Sequence, residues 1–231
     1  MATSDALDGY ERRRRNIRNQ ILDATASLIQ SGGDTDMTVR EIASSAGVSP
    51  ATPFNHFKSK DGIFNALVAR SMSDIYGDTV KEPETVMEGF LDITNYYISK
   101  QDVYKPVFKV ILQAIPPRSR TLRTALEGIK RRIEIQIERG QLSSDAAPAI
   151  LAEQLETFWF GTVILWSGDT ISSDEWRIRV ELGVELMLSA FYPKAARADA
   201  SRRLAKLQKR ASPILNSLPT SKSTPTSGNA S

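Results

Sequence analysis

Apolar residues recur at helical spacing along almost the whole of this 231-residue chain, and this periodicity constrains the fold more than any other feature. The segment 17–30, IRNQILDATASLIQ, places Ile17, Ile21, Ala24 and Leu28 on one face of a helix. No stretch alternates apolar and polar residues between turn signals, as a half-buried strand would. The chain is therefore predicted to be all-α.

Start and stop signals divide the first 60 residues into three helices. The first helix ends at the pair Gly32 and Gly33. The second helix opens with Thr38 and Glu41, which have the spacing of a capping box, and it ends at Gly47. Ser49 is predicted to cap the third helix, with Pro50 at its first position, where a missing N–H costs little. Short helices joined by a glycine-containing turn describe a helix-turn-helix unit.

The composition of residues 46–60, AGVSPATPFNHFKSK, fits a helix that enters the major groove of DNA. The segment has no acidic residue that phosphates would repel, and its small residues allow close approach to base edges. Its polar side chains offer hydrogen bonds and positive charge, and they are Ser49, Thr52, Asn55, Lys58 and Lys60. Taken alone, His56, the only histidine, is better explained as a partly exposed polar residue than as a metal ligand or a catalytic group.

Charge is distributed unevenly along the chain. The net charge is +3, but residues 10–60 and 193–231 are basic whereas residues 61–192 are acidic. Basic ends beside an acidic body indicate a polyanionic partner, although simple solvation of charged faces explains the pattern equally well.

Several classes of protein are disfavoured by what the sequence lacks. There is no cysteine, which excludes disulfides, thiolate zinc sites and cysteine nucleophiles. No apolar run approaches the roughly 20 residues needed to span a bilayer. The N-terminal segment lacks the apolar region of a secretory signal. We expect a cytoplasmic protein without membrane contact, associated with the nucleoid when it is bound to DNA.

The segment TVREIASSAGVSPATPFNHFKSKDGIFNAL closely resembles the DNA-binding domain of TetR/AcrR-type transcriptional regulators. It combines the capping box, the Gly-Val-Ser turn, an aromatic-x-His-Phe end and a Ser-Lys-acidic start to the next helix. The resemblance covers about residues 17–68 and implies that Thr38, Thr52, His56 and Lys60 contact the DNA backbone. It also implies that the residues able to reach the groove are Ser49, Pro50, Ala51, Asn55, Val39 and Arg40. The matching core positions are Ile42, Ala43, Val48 and Phe57.

Two residues depart from the family pattern. Phe54 replaces the usual tyrosine, so a hydrogen bond from a phenol hydroxyl to a phosphate is lost. The ring can still pack against a sugar. Pro53 replaces a common apolar residue and removes an intrahelical hydrogen bond, which predicts a tightened or tilted recognition helix. The run Arg12–Arg15 is either a solvated start to the first helix or a basic arm that enters the minor groove, with Arg13 and Arg14 as candidate contacts.

Residues 70–192 show no catalytic constellation and no metal-ligand spacing, so we expect no enzyme activity, metal or cofactor. Glu153 and Glu156 are interpreted as solvated carboxylates. The aromatic residues of this region are explained as ordinary core, but the resemblance implies a pocket for a small hydrophobic effector between the middle helices. The candidate lining residues are Met87, Phe90, Thr94, Tyr97, Tyr104, Phe108, Ile111, Phe158, Trp159 and Thr162.

The segment LETFWFGTVILW is apolar nearly all round, so a helix there must be covered on more than one side. With residues 174–192 it resembles the helix pair through which family members dimerise. The candidate interface residues are Gly161, Leu165, Leu182 and Leu186. A two-fold dimer would also suit the reading of a palindrome.

The sequence thus predicts a basic arm (1–15), a helix-turn-helix domain (16–60), a larger effector-binding and dimerisation domain (61–193), and a basic, then disordered tail (194–231). The predicted function is that of a homodimeric repressor released from a palindromic operator by a small effector. The alternative is a DNA-binding regulator without such an effector, controlled by a protein partner or by abundance. An enzyme or a protein–protein scaffold fits less well, because the only histidine and the acid-depleted basic segment both lie in the DNA module.

Overall fold

The computed structural model describes residues 2–32, 34–76, 84–114 and 120–215, and these residues form helices and contain no strand. The helices are α1 (Ala2–Gly32), α2 (Val39–Ser45), α3 (Ala51–Phe57), α4 (Lys60–Tyr76), α5 (Val86–Ser99), α6 (Gln101–Ala114), α7 (Arg120–Glu138), α8 (Pro148–Ser167), α9 (Ser173–Ser189) and α10 (Arg197–Leu215). A single 3-10 turn, Lys194–Ala196, precedes α10. The predicted all-α class is confirmed.

The N-terminal module is built on the buried face of α1. Helices α2, α3 and α4 all pack on α1. Ile21 of α1, Ile42 of α2 and Phe57 of α3 are buried together with Ile63 and Phe64 of α4 in the continuous core of the protein. The core positions predicted for Ile42, Ala43 and Phe57 are confirmed, whereas Val48 is half-buried.

Of the two interpretations of Arg12–Arg15, the structure agrees with a solvated part of the first helix and not with a separate basic arm over residues 1–15. Helix α1 begins at Ala2, so Arg12–Arg15 lie inside a continuous helix. The physical reason is propensity: the segment 10–20 consists largely of strong helix formers and contains no proline or glycine. A run of like charges marks solvent exposure, and it does not by itself end a helix.

The larger domain is a layered bundle in which α8 contacts α6, α7 and α9. Its centre is aromatic. Trp166 of α8 stacks on Trp176 of α9 with ring centroids 4.3 Å apart. Tyr97 of α5 meets Phe108 of α6 edge to face at 4.8 Å. These large rings fill the space between the helices and fix the positions of α5, α6, α8 and α9 relative to one another.

The prediction that the folded domain ends at residue 193, with a basic tail after it, is wrong for residues 194–215. Helix α10 packs along α9 and buries Ala200, Leu207 and Ala211. Arg203 donates to Glu185 at 3.0 Å and Arg210 to Glu181 at 3.3 Å, so the two helices run antiparallel. The basic residues that made this segment resemble a solvated tail are partly neutralised by carboxylates of α9. The predicted disordered segment PTSKSTPTSGNAS lies outside the described residues.

Candidate DNA-binding surface and effector region

The N-terminus of α2 is fixed by the predicted capping box, which the structure confirms. The Thr38 hydroxyl oxygen accepts from the Glu41 backbone N–H at 3.2 Å, and the Glu41 carboxylate accepts from the Thr38 backbone N–H at 2.6 Å. The backbone N–H and the hydroxyl of Thr38 both donate to the Glu41 carboxylate, which favours its ionised form and lowers the pKa of Glu41. Thr38 and Arg40 are exposed at this end of α2, and Val39 is half-buried.

The turn between α2 and α3 needs the glycine that the sequence places there. Gly47 has a φ of 63°, in the left-handed region that other residues avoid. The backbone N–H of Val48 returns to the Ala43 carbonyl at 3.0 Å and closes the end of α2. Gln20 of α1 donates to the Ala46 carbonyl at 2.7 Å and ties the turn to the module.

Helix α3 begins one residue later than predicted, and its cap differs. Pro50 is the N-cap residue and no side chain caps this helix. The Ser49 hydroxyl instead lies 2.7 Å from the Thr52 hydroxyl, because the Thr52 backbone N–H already bonds to the Ser49 carbonyl at 2.9 Å. Pro53 is buried and the helix continues through it to Phe57. The first turn of a helix lacks N–H partners in any case, so proline is tolerated there.

Helix α3 presents an outer face that is exposed among the residues that the structure describes. Phe54 is 60% exposed, whereas Phe57, one turn later, is 6% exposed and belongs to the core. All the predicted DNA-contacting residues of α3 and its flanks lie at the surface. Ser49, Pro50, Ala51, Phe54 and Asn55 are exposed, and Thr52, His56 and Lys60 are partly so.

Arg18 organises the C-terminal end of α3, a role that the sequence interpretation missed. Its guanidinium donates to the His56 carbonyl at 3.3 Å and lies 4.3 Å from the centre of the Phe57 ring. Partial burial, then the charges of Arg14 and Arg18, lower the pKa of His56. The spacing of Arg14 and Arg18, one helical turn apart, is the signal that could have indicated this shared face.

Two lysines flank the same surface. The Lys60 ammonium donates to the Thr35 carbonyl at 3.0 Å, which joins the start of α4 to the loop before α2. Lys58 is the C-cap residue of α3 and has a φ of 70°. Arg13 and Arg14 are exposed on α1. The surface therefore carries positive charge from Lys58 and Lys60 next to α3 and from the exposed arginines of α1.

Most of the candidate effector residues form one packed cluster. Tyr97 lies 4.9 Å from Tyr104 and 6.1 Å from Trp159, measured between ring centroids. The cluster's polar atoms have partners: the Tyr97 hydroxyl is 2.7 Å from the Ser71 hydroxyl, and the Trp159 indole donates to Thr94 at 3.0 Å. The buried candidates are Phe90, Thr94, Tyr97, Tyr104, Phe108, Ile111, Trp159 and Thr162.

Two of the candidate residues lie apart from the buried set. Met87 is half-buried near the start of α5. Phe158 is half-buried on the side of α8 that meets α9, where its ring lies so close to Gly183 that an added Cβ there would come within 2.1 Å of it. The structure therefore does not bring Phe158 into the aromatic cluster.

Glu156 differs from its sequence interpretation as a solvated carboxylate. One carboxyl oxygen, Oε1, is buried and has no hydrogen-bond partner. Burial, then the neighbouring charge of Glu153, raises the pKa of Glu156 to about 7. Glu153 itself is exposed, as expected.

The outer faces of α8 and α9 carry exposed apolar side chains. Leu165 is 36% and Leu186 45% exposed, Leu182 is half-buried, and a Cβ at Gly161 would meet nothing within 4 Å. Ile150 and Ile164, which the sequence interpretation did not single out, are 64% and 54% exposed on α8. Their spacing from Gly161 places them on the same face of the helix.

The described residues contain neither a helix able to cross a membrane nor a cluster of metal-binding side chains. None of the helices there combines the length and apolar character that crossing a bilayer requires. The same part of the chain holds no group of three or more histidine, aspartate or glutamate side chains positioned to bind a metal ion.

The fold is that of known bacterial regulators. The structure of SmeT, the repressor of the Stenotrophomonas maltophilia multidrug efflux pump SmeDEF, aligns with a TM-score of 0.56 at 21% identity over 77% of this chain and 91% of SmeT. TylP, a TetR regulator from Streptomyces fradiae, aligns with a TM-score of 0.58 at 14% identity over 86% of this chain and 99% of TylP.

The sequence model of the family described as bacterial regulatory proteins, tetR family, matches residues 21–67. Over these residues the chain matches the TetR family. Among curated relatives, the uncharacterised HTH-type transcriptional regulator YvkB of Bacillus subtilis is 31% identical over 97 residues, which is 42% of this chain. The match spans about half the length of YvkB (51%). Members of the TetR family are regulators rather than enzymes, which agrees with the expectation from the sequence.

Proposed function

We propose that this chain is a homodimeric DNA-binding transcriptional regulator, and that it acts as a repressor which a small effector releases from a palindromic operator. The observation that carries the proposal is the outer face of α3, exposed and without acidic residues, flanked by Arg14 on α1 and Lys58. A helix of this kind fits the major groove, and the flanking cations suit the phosphates on either side. Once bound to the chromosome, the protein would be part of the nucleoid.

Within this proposal the surface divides into two kinds of contact. Thr38, Thr52, His56, Lys60 and the α1 arginines Arg13 and Arg14 contact phosphates, whereas Ala51 and Asn55 face base edges together with Ser49, Pro50, Val39 and Arg40. The Phe54 ring packs against sugar. Arg13 and Arg14 act from a helix, so they meet the backbone from outside the groove and do not thread into the minor groove as an extended arm would.

Selection of bound DNA from a random library, at near-physiological salt because affinity depends steeply on it, tests the proposal. A recovered palindrome supports a dimeric regulator. Asn55→Ala should then relax base preference at one position of each half-site. Lys60→Ala should weaken binding to all sequences and reduce the salt dependence by about one unit. Sequence-independent recovery would contradict the proposed operator.

Dimerisation is proposed through the apolar outer faces of α8 and α9. Two copies of this helix pair would form a four-helix interface, and Gly161 would allow close approach. Sedimentation at micromolar concentration should give a dimer. Leu186→Glu should shift it towards monomer, whereas Gln141→Glu, an exposed change on the loop before α8, should not. A wild-type monomer would refute the interface.

Release by an effector requires that the ligand prefer the conformation that fits DNA poorly, and DNA must then weaken ligand binding to the same degree. The ligand would act by moving α4, which leads from the DNA module into the body. SmeT forms a complex with triclosan, which supports a small hydrophobic ligand.

The second candidate is a regulator without a small effector, controlled by a protein partner or by abundance. The mutual packing and satisfied polar atoms of the cluster around Tyr97 favour it. Calorimetric titration with a panel of hydrophobic compounds distinguishes the two, because only the first predicts heat of binding and loss of operator affinity.

A further inference from the structure

The turn after α8 places an aspartate at a backbone position where glycine is usual. Asp169 has a φ of 59° and lies in a Schellman motif, in which its N–H donates to the Trp166 carbonyl at 3.2 Å. The Thr170 N–H donates to the Leu165 carbonyl at 2.9 Å and completes the motif. Gly168 lies one residue earlier, at the C-cap, where it does not relieve the left-handed position. A residue other than glycine held in this conformation indicates that its side chain has a role.

The Asp169 carboxylate contacts the first turns of α6. It accepts from the Lys105 ammonium at 2.5 Å, and the hydrogen bond from Lys105 and its charge lower the pKa of Asp169. Asp169 is exposed, and an exposed ion pair contributes little to the free energy of unfolding. The contact is therefore better explained by the geometry that it fixes than by the stability that it adds.

A second contact joins the same two parts of the chain. The hydroxyl of Ser173, the first residue of α9, donates to the side-chain oxygen of Gln101, the first residue of α6, at 2.8 Å. The same hydroxyl accepts from the buried Trp166 indole N–H at 3.0 Å, which fixes its orientation. The turn between α8 and α9 therefore contacts α6 at Gln101 and at Lys105, one helical turn apart.

The start of α6 is also the place where the body meets the end of α1. Helix α1 packs on α6, and a cleft of about 650 Å³ lies between them. Its lining includes Gln30, Asp34 and Thr35 of the DNA module and Lys105, Lys109 and Asp169 of the body. Direct contacts thus lead from α8 and α9, which carry the proposed dimer interface, through the first turns of α6 to the DNA module.

We propose that Asp169 and Lys105 form a clamp that fixes the DNA module relative to the α8–α9 pair, and that this clamp sets the separation of the two recognition helices in the dimer. Asp169 is a positioning residue, because it acts on DNA binding only through α6 and α1. A palindrome is read when the two copies of α3 match its half-site spacing, so a module that turns more freely loses affinity and tolerates a wrong spacing. The inference rests on the proposed dimeric regulator and names the residues that hold its geometry.

Two variants break the clamp from opposite sides. Asp169→Gly removes the carboxylate and relieves the left-handed turn, so the Tm should rise or stay within about 2 °C of the wild-type value. Lys105→Met keeps the turn and removes the positive charge. The matched control is Asp174→Asn, which removes a carboxylate from the exposed first turn of α9, five residues from Asp169.

The first measurement needs no DNA. The chain has no cysteine, so Ser45→Cys at the exposed end of α2 carries one spin label in each subunit. Pulsed electron paramagnetic resonance then gives the distribution of label-to-label distances in the dimer. The wild type and Asp174→Asn should give one narrow distribution. Asp169→Gly and Lys105→Met should each give a distribution about twice as wide, because the DNA modules turn more freely.

The second measurement uses the palindrome recovered by DNA selection and the same palindrome with one base pair inserted at its centre. Asp169→Gly and Lys105→Met should bind the original palindrome about fivefold more weakly than the wild type does. They should bind the lengthened palindrome about as well as the wild type does, so discrimination between the two spacings should fall about fivefold. A residue needed only for folding would not combine this loss with an unchanged or higher Tm.

The outcomes separate the clamp from the proposed function. A distance distribution as narrow in both clamp variants as in the wild type would overturn the clamp, and so would unchanged discrimination between the two spacings. An equal effect of Asp174→Asn would assign the change to charge alone and would also overturn it. If no palindrome is recovered, the proposed operator fails and the label distances alone decide on the clamp. A wild-type monomer would refute the dimer interface and, with it, this inference.

Discussion

Leu207→Ala should destabilise the whole protein if α10 is part of the folded body. Leu207 is only 7% exposed and lies on the side of α10 that packs on α9. Truncating a buried leucine costs about 2–5 kcal/mol, and the lower end applies here because α10 packs mainly on one helix and can relax. We therefore expect about 2 kcal/mol, which in a chain of this size lowers the Tm by about 4–8 °C.

The matched control is Lys206→Ala, an exposed neighbour on the same helix. Both changes raise helix propensity slightly, so their difference isolates packing. Thermal unfolding should be followed at one fixed protein concentration, because dimerisation makes the Tm concentration-dependent. Hydrogen exchange of the α10 amides should accelerate in Leu207→Ala and not in Lys206→Ala. Equal Tm values for the two variants would show that α10 does not contribute to the folded body, and the argument from its burial would fail.

Three further outcomes are expected. Thr38→Ala should lower the free energy of unfolding by about 1 kcal/mol through loss of the α2 cap, and Thr38→Ser should restore most of it in urea denaturation. Gly47→Ala should cost about 1–2 kcal/mol from backbone strain alone, since its Cβ would meet no atom closer than 3.9 Å; a neutral result would contradict the left-handed turn. Burial, with Arg14 and Arg18, lowers the pKa of His56, and a DNA phosphate would raise it again, so operator binding takes up a proton. Affinity should strengthen as the pH falls through the pKa of the DNA-bound His56, and His56→Gln should remove that trend in fluorescence anisotropy; an unchanged profile would exclude His56 as a phosphate contact.

The N-terminal module was predicted closely because its signals are local. The capping box of Thr38 and Glu41, the turn at Gly47 and the proline early in α3 each act within one or two helical turns. Such signals involve residues that are close together in the sequence, so they can be recognised without the tertiary structure. The role of Arg18 was missed because its partners, His56 and Phe57, lie 38 and 39 positions along the chain.

The sequence by itself determined the helical class, the helix-turn-helix unit and which face of α3 is open, since helical period and capping depend on near neighbours. Only the tertiary structure decided that the Arg12–Arg15 segment continues α1, that the basic C-terminal segment folds onto Glu181 and Glu185, and that Glu156 is partly desolvated. Each of these depends on which distant groups come together. A charged side chain has the same sequence signature whether it is solvated, paired or buried, and only packing distinguishes the three.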